Sequence, residues 1–380
     1  MDLSLTETQE MFKKVAADFV KAEVPAHQMT QWYKNKQTYQ PQLVKKAAEM
    51  GWLGMMLPEQ FGGAEVSATD CAVVFEELGR GPVPGPLFSS GILAAQMILE
   101  ACTDEQRKAL LPPLCQGESV VIPAITDKAA YWGPEAVESR LSKLAGGYLL
   151  NGVKPFVFDA QAATSFLCAA RTEEGKVVFL VVDAKSPGIT ITPHIGFLVS
   201  VAEVRFDKVA VSPENLLGSS GANWSTLETE LDKSLPILCA YQVGASQEVF
   251  DFTCEYTRTR VVFGQPIGRF QRVQDHCVEI SIHLDAARWA TYETLWRIDS
   301  GMPARAAVHE AKAVASDGYF QATNYAHMVW AGPGTDYGHP MMAHSVLAHT
   351  LYQYLGTPGH HKRLMIDALY PRATSSQNGK

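Results

Sequence analysis

The sequence predicts an α+β chain in three blocks, helical, then β, then helical again, and three changes of hydrophobic period carry that prediction. Through residues 1–118 apolar residues recur at three- and four-residue steps. From about Val120 the period shortens to two, and after Gly221 the helical period returns and persists to about Tyr370. The predicted domains are therefore a helical block over 1–118, a β-domain of roughly a hundred residues over 119–222 and a helical bundle over 223–370. The last stretch, 371–380, ends in ATSSQNGK, which has almost no apolar content and is expected to be disordered.

In the first block, Thr6 and Gln9 have the spacing of a capping box, and Met11, Val15, Phe19 and Val20 follow at helical intervals. That predicts an amphipathic first helix. Pro58 to Gly63 interrupts the pattern, Cys71 to Arg80 resumes it, and Gly79 with the run from Gly81 to Pro86 closes it. Six short runs rich in β-branched and aromatic residues then read as strands: Val120–Thr126, Tyr148–Gly152, Ser165–Arg171, Val177–Asp183, Ile189–Pro193 and Ala202–Asp207. In the last block Val273, Cys277, Ile280, Leu284, Ala287, Thr291, Leu295 and Ile298 form one continuous stripe, the mark of a long bundle helix. Asp299 to Pro303 stops that helix, Gly332-Pro333-Gly334 stops the next, and a final helical pair runs to about Tyr370.

The 380 residues exceed what one hydrophobic core usually serves. A net charge of −8 argues against a nucleic-acid footprint, which needs clustered basic side chains. Seven cysteines without CxxC spacing suggest neither a disulfide framework nor a zinc site, and read as small buried hydrophobes in a reducing compartment. His344, His349, His360 and His361 read as surface or packing histidines, because five-residue spacing does not align two metal ligands on one helix face. The N-terminus has no apolar h-region and no run approaches a membrane span, so a cytoplasmic protein without a membrane span is expected.

The segment Tyr256 to Gln271, YTRTRVVFGQPIGRFQ, joins a basic helix end to an aromatic–glycine pair, a proline-containing turn and a new helix. By its physics alone this is either an ordinary interhelical corner or a guanidinium and ring placed to hold a nucleotide diphosphate. Arg260, Phe263, Gly264 and Gln271 stand in the order and spacing of the flavin-contacting signature of acyl-CoA dehydrogenases. The phrases LPEQFGG and EELGRG also resemble that family, and the resemblance covers nearly the whole chain. It implies an acyl-CoA dehydrogenase-like fold with a C-terminal four-helix bundle, and FAD as cofactor. Arg260 and Phe263 would take the pyrophosphate and ring-contacting positions, Gln271 the adenine side, Thr126 the isoalloxazine edge, and Thr357 the C-terminal Gly-Thr phrase. Phe156-Val157-Phe158-Asp159 resembles a Phe-Val-x-Asp subgroup, in which Phe156 stacks but Phe158 lacks the hydroxyl that other members offer the flavin. Three other positions depart from the family: Met328 replaces a glutamine, Ala331 the first glycine of a Gly-Gly phrase, and Trp132 a serine.

The family's reaction needs a carboxylate to take the α-proton of an acyl-CoA thioester while the β-hydrogen leaves as hydride. Leu355 stands where the usual glutamate precedes Gly-Thr, Ser234 where some members carry it instead, and Leu235 where an arginine orients it. Asp336, in a Gly-rich turn, is a weak substitute, with Glu230 and Asp232 behind it. The resemblance to heteromeric, steroid side-chain-type enzymes, in which one chain lacks the glutamate and flavin contacts come from both, implies a base-lacking subunit of a heterotetramer. Such a subunit would desaturate a bulky acyl-CoA together with a homologous catalytic subunit and pass electrons to an electron-transfer flavoprotein or similar acceptor. A homo-oligomeric enzyme with a non-standard base and an inactive homologue are the alternatives.

Overall fold

A computed structural model describes residues 4–37, 39–128, 132–197, 199–218 and 223–371. The N-terminal helices are α1 (Glu7–Glu23), α2 (Ala26–Lys34), α3 (Pro41–Glu49), α4 (Ala68–Arg80), α5 (Ala95–Ala101) and α6 (Asp104–Cys115). The capping box of Thr6 and Gln9 forms: the Gln9 N–H donates to Thr6 Oγ1 at 3.2 Å and the Thr6 N–H to Gln9 Oε1 at 3.0 Å. Ser67 with Asp70 and Thr103 with Gln106 start α4 and α6 in the same way. The chain enters α5 through a π-helical stretch, Ser89–Ala94, whose first two residues reach the sheet. Ser89 Oγ donates to Asp159 at 2.9 Å, and Ser90 Oγ accepts from the Val121 N–H at 3.0 Å.

The sheet contains β1 (Val121–Ala124), β2 (Arg140–Leu144), β3 (Gly147–Phe158), β4 (Ser165–Thr172), β5 (Val177–Asp183), β6 (Ile189–Pro193) and β7 (Val201–Val211). Strand β4 is its hub, with β1 and β2 parallel along one edge and β5 antiparallel along the other. Antiparallel pairing continues from β2 through β3 and β7 to β6. Three elements differ most from the runs read in the sequence: β2 is an additional strand, β3 continues six residues past Gly152, and β7 continues four past Asp207. Register shifts between Leu150 and Gly152 and between Lys154 and Val157 let β3 bend as it continues. The bend buries Lys154 and Val157 and leaves Phe156 half exposed.

The C-terminal block holds α7 (Trp224–Thr259), a small hairpin of β8 (Val261–Val262) and β9 (Gln265–Pro266), then α8 (Gln271–Asp299), α9 (Arg305–Trp330), α10 (Pro340–Gln353) and α11 (Pro358–Leu369). Ile280, Leu284, Ala287, Thr291 and Leu295 of α8 are buried, as their spacing predicts. Helices α4 and α7 cross backbone to backbone. A Cβ at Gly79 would stand 1.9 Å from the Tyr241 carbonyl oxygen, and one at Gly244 1.7 Å from that of Glu76. The stop of α8 also caps α4, since Asp299 accepts from the N–H groups of Ala68 and Thr69 at 3.0 Å each. This ties the first and last blocks together around the sheet, the α+β arrangement expected. Among the described residues no helix is long and apolar enough to cross a membrane. Residues 372–380, nearly all of the expected tail, lie outside the described residues.

Candidate active site

Where the sheet meets the bundle there is a cavity of about 300 Å³. Thr126 lies just beyond β1, Phe156 and Phe158 come from β3, and Tyr354, Leu355, Gly356 and Thr357 come from the turn between α10 and α11. The walls are flat and aromatic. Phe158 packs on Tyr354 with ring centroids 4.8 Å apart, and Phe156 stacks on His194 at 4.9 Å. Thr126 is held in place by a buried charge beneath it. Lys154 Nζ donates to the Ile125 carbonyl at 2.8 Å, to Asp127 Oδ2 at 2.9 Å and to the Ala169 carbonyl at 2.7 Å. Asp127 in turn accepts from the N–H groups of Glu138 and Ser139 and from the Ser139 hydroxyl. Burial lowers the Lys154 pKa and the Asp127 carboxylate opposes that shift.

Asp159 closes β3 behind Phe158, in the left-handed region at φ 58°. Burial pushes its carboxyl pKa up to about 7, against the pull of hydrogen bonds from Ser89 and Ser200. Between the ordinary value of 3.8 and about 7 the folded chain holds a proton that the unfolded chain has lost, so this group's contribution to stability falls as pH rises through that window. Asp159→Asn should therefore flatten stability against pH between those values and gain on the native chain above pH 7. Each tenfold step in acidity is worth about 1.4 kcal/mol, so the gain should reach a few kcal/mol in urea melts taken at successive pH values. A variant whose melts run parallel to the native ones would refute this.

Leu355 is bulky yet adopts φ 60°, a conformation that costs on the order of 1–3 kcal/mol, and Gly356 follows at φ 111°. A Cβ at Gly356 would stand 2.8 Å from His360 Cδ2 and 2.9 Å from His361 Nε2, so a side chain there would meet both rings. A chain of rings holds the strained turn. His361 Nε2 lies 3.0 Å from the Leu355 carbonyl oxygen, His361 Nδ1 lies 3.1 Å from His309 Nδ1, and His309 Nε2 lies 3.7 Å from Asp232 Oδ1. A carbonyl only accepts, so His361 donates from Nε2, accepts at Nδ1 and receives the proton of His309 Nδ1. Burial drives the His361 and His309 pKa values down to about 2 and about 4 and the Asp232 pKa up to about 6. These groups line a second cleft of about 220 Å³, which also holds Trp224, Leu235 and Arg305. No local spacing singles out His309, and His360 and His361 read as surface or packing residues. His309 and His361 are 52 positions apart, and only the packing of α9 against α11 joins them.

Thr126, Phe156, Phe158, Thr357 and Leu355 thus share one cavity. Val157 turns into the core. Ser234 is buried on α7, its hydroxyl without a hydrogen-bond partner among the described residues, and Leu235 lines the second cleft together with Leu355. Arg260, Phe263 and Gln271 sit at the β8–β9 hairpin and the start of α8, all exposed and outside the cavity lining. Phe263 is 92% exposed. Asp336 is exposed, its Oδ1 accepts from the Gly338 N–H at 2.8 Å, and it lies outside both lining sets. Among the described residues no group of three or more His, Cys, Asp or Glu could hold a metal ion.

Helices on both sides of a β-domain, with a planar, hydroxyl-edged cavity at their meeting point, make a scaffold for a flat ring and a ligand laid along it. The family signature described as "Acyl-CoA dehydrogenase, N-terminal domain" matches residues 6–118, and "Acyl-CoA dehydrogenase, C-terminal domain" matches residues 223–370. "Probable acyl-CoA dehydrogenase YngJ" of Bacillus subtilis is 28% identical over 347 residues, covering 88% of this chain and 90% of that protein. Two solved structures have the same fold. Glutaryl-CoA dehydrogenase from Mycobacterium smegmatis in complex with FADH2 aligns with a TM-score of 0.88 at 20% identity, over 98% of this chain and 97% of that one. The ChsE4-ChsE5 complex from Mycobacterium tuberculosis aligns with a TM-score of 0.86 at 23% identity, over 98% of this chain and 100% of the aligned one. The chain belongs to the acyl-CoA dehydrogenase family of oxidoreductases.

Proposed function

We propose that the chain binds FAD and an acyl-CoA thioester, and that it serves α,β-desaturation of a bulky acyl group as the base-lacking member of an assembly with a homologous, glutamate-bearing chain. The observation that carries this reading is Leu355: buried, apolar and facing the same cleft as Leu235, it fills the position of the proton acceptor with hydrocarbon. The cavity residues fit a flavin. Phe156, Phe158 and Tyr354 offer faces to a planar ring, while Thr126 and Thr357 offer hydroxyls to its polar edge. When bound, FAD would supply the acceptor for the β-hydride. Arg260 would take the diphosphate and Phe263 a ring, but both lie exposed outside this cavity. That placement supports a site completed across two chains, and the fold shared with the ChsE4-ChsE5 complex is in keeping with it. Electrons would pass to an electron-transfer flavoprotein or similar acceptor, and the assembly would work in the cytoplasm.

A second reading, a self-sufficient homo-oligomer, has one observation in its favour: Asp232 lines the second cleft with a raised pKa. Purification separates the readings. The isolated chain should retain little FAD and form no enoyl-CoA, and both should appear with a glutamate-bearing homologue. Enoyl-CoA production by the chain alone would support the second reading, and neither FAD nor product in any mixture would leave an inactive homologue. In the assembly, Arg260→Ala should lower FAD affinity at least about tenfold, the loss of one charged hydrogen bond. Because Arg260 is exposed, the isolated chain should melt as before. Unchanged FAD retention would remove Arg260 from the site.

A further inference from the structure

His360, in the first turn of α11, lines both the ring cavity and the second cleft. Among the described residues, only Trp132 and Leu355 share that position at the junction. Its Nδ1 lies 3.1 Å from Arg363 Nη2. A guanidinium only donates, so Nδ1 accepts, and a neutral ring must then carry its proton on Nε2. Burial, and after it the Arg363 charge, lower the His360 pKa and keep the ring neutral. The Nε2–H is thus an oriented donor, yet it is buried and has no hydrogen-bond partner among the described residues. Native folds rarely bury a donor unpaired, and a catalytic or ion-binding role is one of the few explanations for an exception.

A thioester that laid its Cα–Cβ bond along the ring cavity and ran its CoA side out through the second cleft would place its carbonyl at the junction of the two. Leu355 offers that carbonyl no polar side chain. His309 cannot serve it either, because its proton is committed to His361 and its free Nε2 faces Asp232. We propose that the His360 Nε2–H donates a hydrogen bond to the thioester carbonyl oxygen, anchoring and polarising it. This rests on the reading above that the ligand is an acyl-CoA. The site would then retain the electrophilic half of the reaction while lacking the base. Arg363 is a positioning residue, acting only by fixing the proton on Nε2.

The test uses 4-(dimethylamino)cinnamoyl-CoA, whose absorption moves to the red when its carbonyl is polarised, so the readout needs no turnover. It is titrated into the full-length chain, loaded with FAD and its partner chain where these are required. The native protein should bind the probe with a red shift. His360→Leu should lose most of that shift and bind about tenfold more weakly. His360→Gln, which keeps an N–H donor, should recover part of it. Arg363→Met, which frees the tautomer without removing the ring, should fall between, and it stands in for His360→Leu should that variant fail to fold. A shift undiminished in both His360→Leu and Arg363→Met overturns the role of His360 while leaving acyl-CoA as the ligand. Absence of saturable probe binding by the native protein overturns the acyl-CoA reading itself, and this inference with it.

Discussion

A glutamate at position 355 together with an arginine at position 235 should turn on α-proton abstraction, of which the native chain alone, read as a base-lacking subunit, should show almost none. A well-placed general base contributes about 10²–10⁴ in rate, and the Leu355→Glu/Leu235→Arg variant should recover much of that range. The backbone already presents the position: His361 holds the Leu355 carbonyl at 3.0 Å, and the side chains of Leu355 and Leu235 line one cleft. Leu355→Glu alone should gain less. Its carboxylate would be buried, which raises its pKa, and would lack the arginine that position 235 supplies in the double variant. The measurement is deuterium uptake at Cα of a saturated acyl-CoA in D2O, followed by mass spectrometry, with enoyl-CoA formation as the second readout. If the double variant exchanges no faster than the native chain, the reading of position 355 as the place of the missing base fails.

What the sequence disclosed depended on how local each signal was. The three-block order, the first capping box and the long stripe of α8 depend on spacings within a few turns; the first two appear in the structure as read, and the stripe is buried from Ile280 to Leu295 but not at Val273, Cys277 or Ile298. Strand β2 did not show because Arg140–Leu144 is largely polar and exposed, with only Leu141 buried, so it carries little alternation. It pairs because the edges of β3 and β4 need a partner, which is a tertiary demand. The far half of β3 was hidden by Lys154 and Pro155, which look like strand breakers. In the fold Lys154 is buried against Asp127 and the register shift accommodates the proline. The site divides in the same way. Leu355 was conspicuous because Gly356-Thr357 anchors its position. The His309–His361 link and the orphan nitrogen of His360 were illegible, since both depend on distances across the fold and on the direction of hydrogen bonds. The exposed placement of Arg260 and Phe263 also needed coordinates, because the motif names the residues without saying which cavity they face.

Lys154→Met should be the most destabilising single substitution in the sheet, costing about 3–5 kcal/mol, because it leaves the Asp127 carboxylate buried without its cation. Both side chains are shielded, Lys154 fully and Asp127 to 5% exposure, so water cannot take over the lost contact. Methionine nearly matches the lysine stem in length, so little of the loss would come from a cavity. Removing the carboxylate as well tests the cause. Asp127→Asn in the Lys154→Met background should recover part of the loss, since a neutral amide costs less to bury and its oxygen can still accept from the Ser139 N–H. Denaturant midpoints of the two single variants and the double variant measure that coupling, and strictly additive losses would show that the ion pair is not the source. The same substitution should reach the cavity. Lys154 Nζ grips the Ile125 carbonyl and Asp127 on either side of Thr126, so losing it should loosen the segment that carries the Thr126 hydroxyl. FAD retention should then fall further in Lys154→Met than in Thr126→Val, which removes the hydroxyl but keeps the backbone in place. Equal retention in the two variants would confine Lys154 to the stability of the sheet.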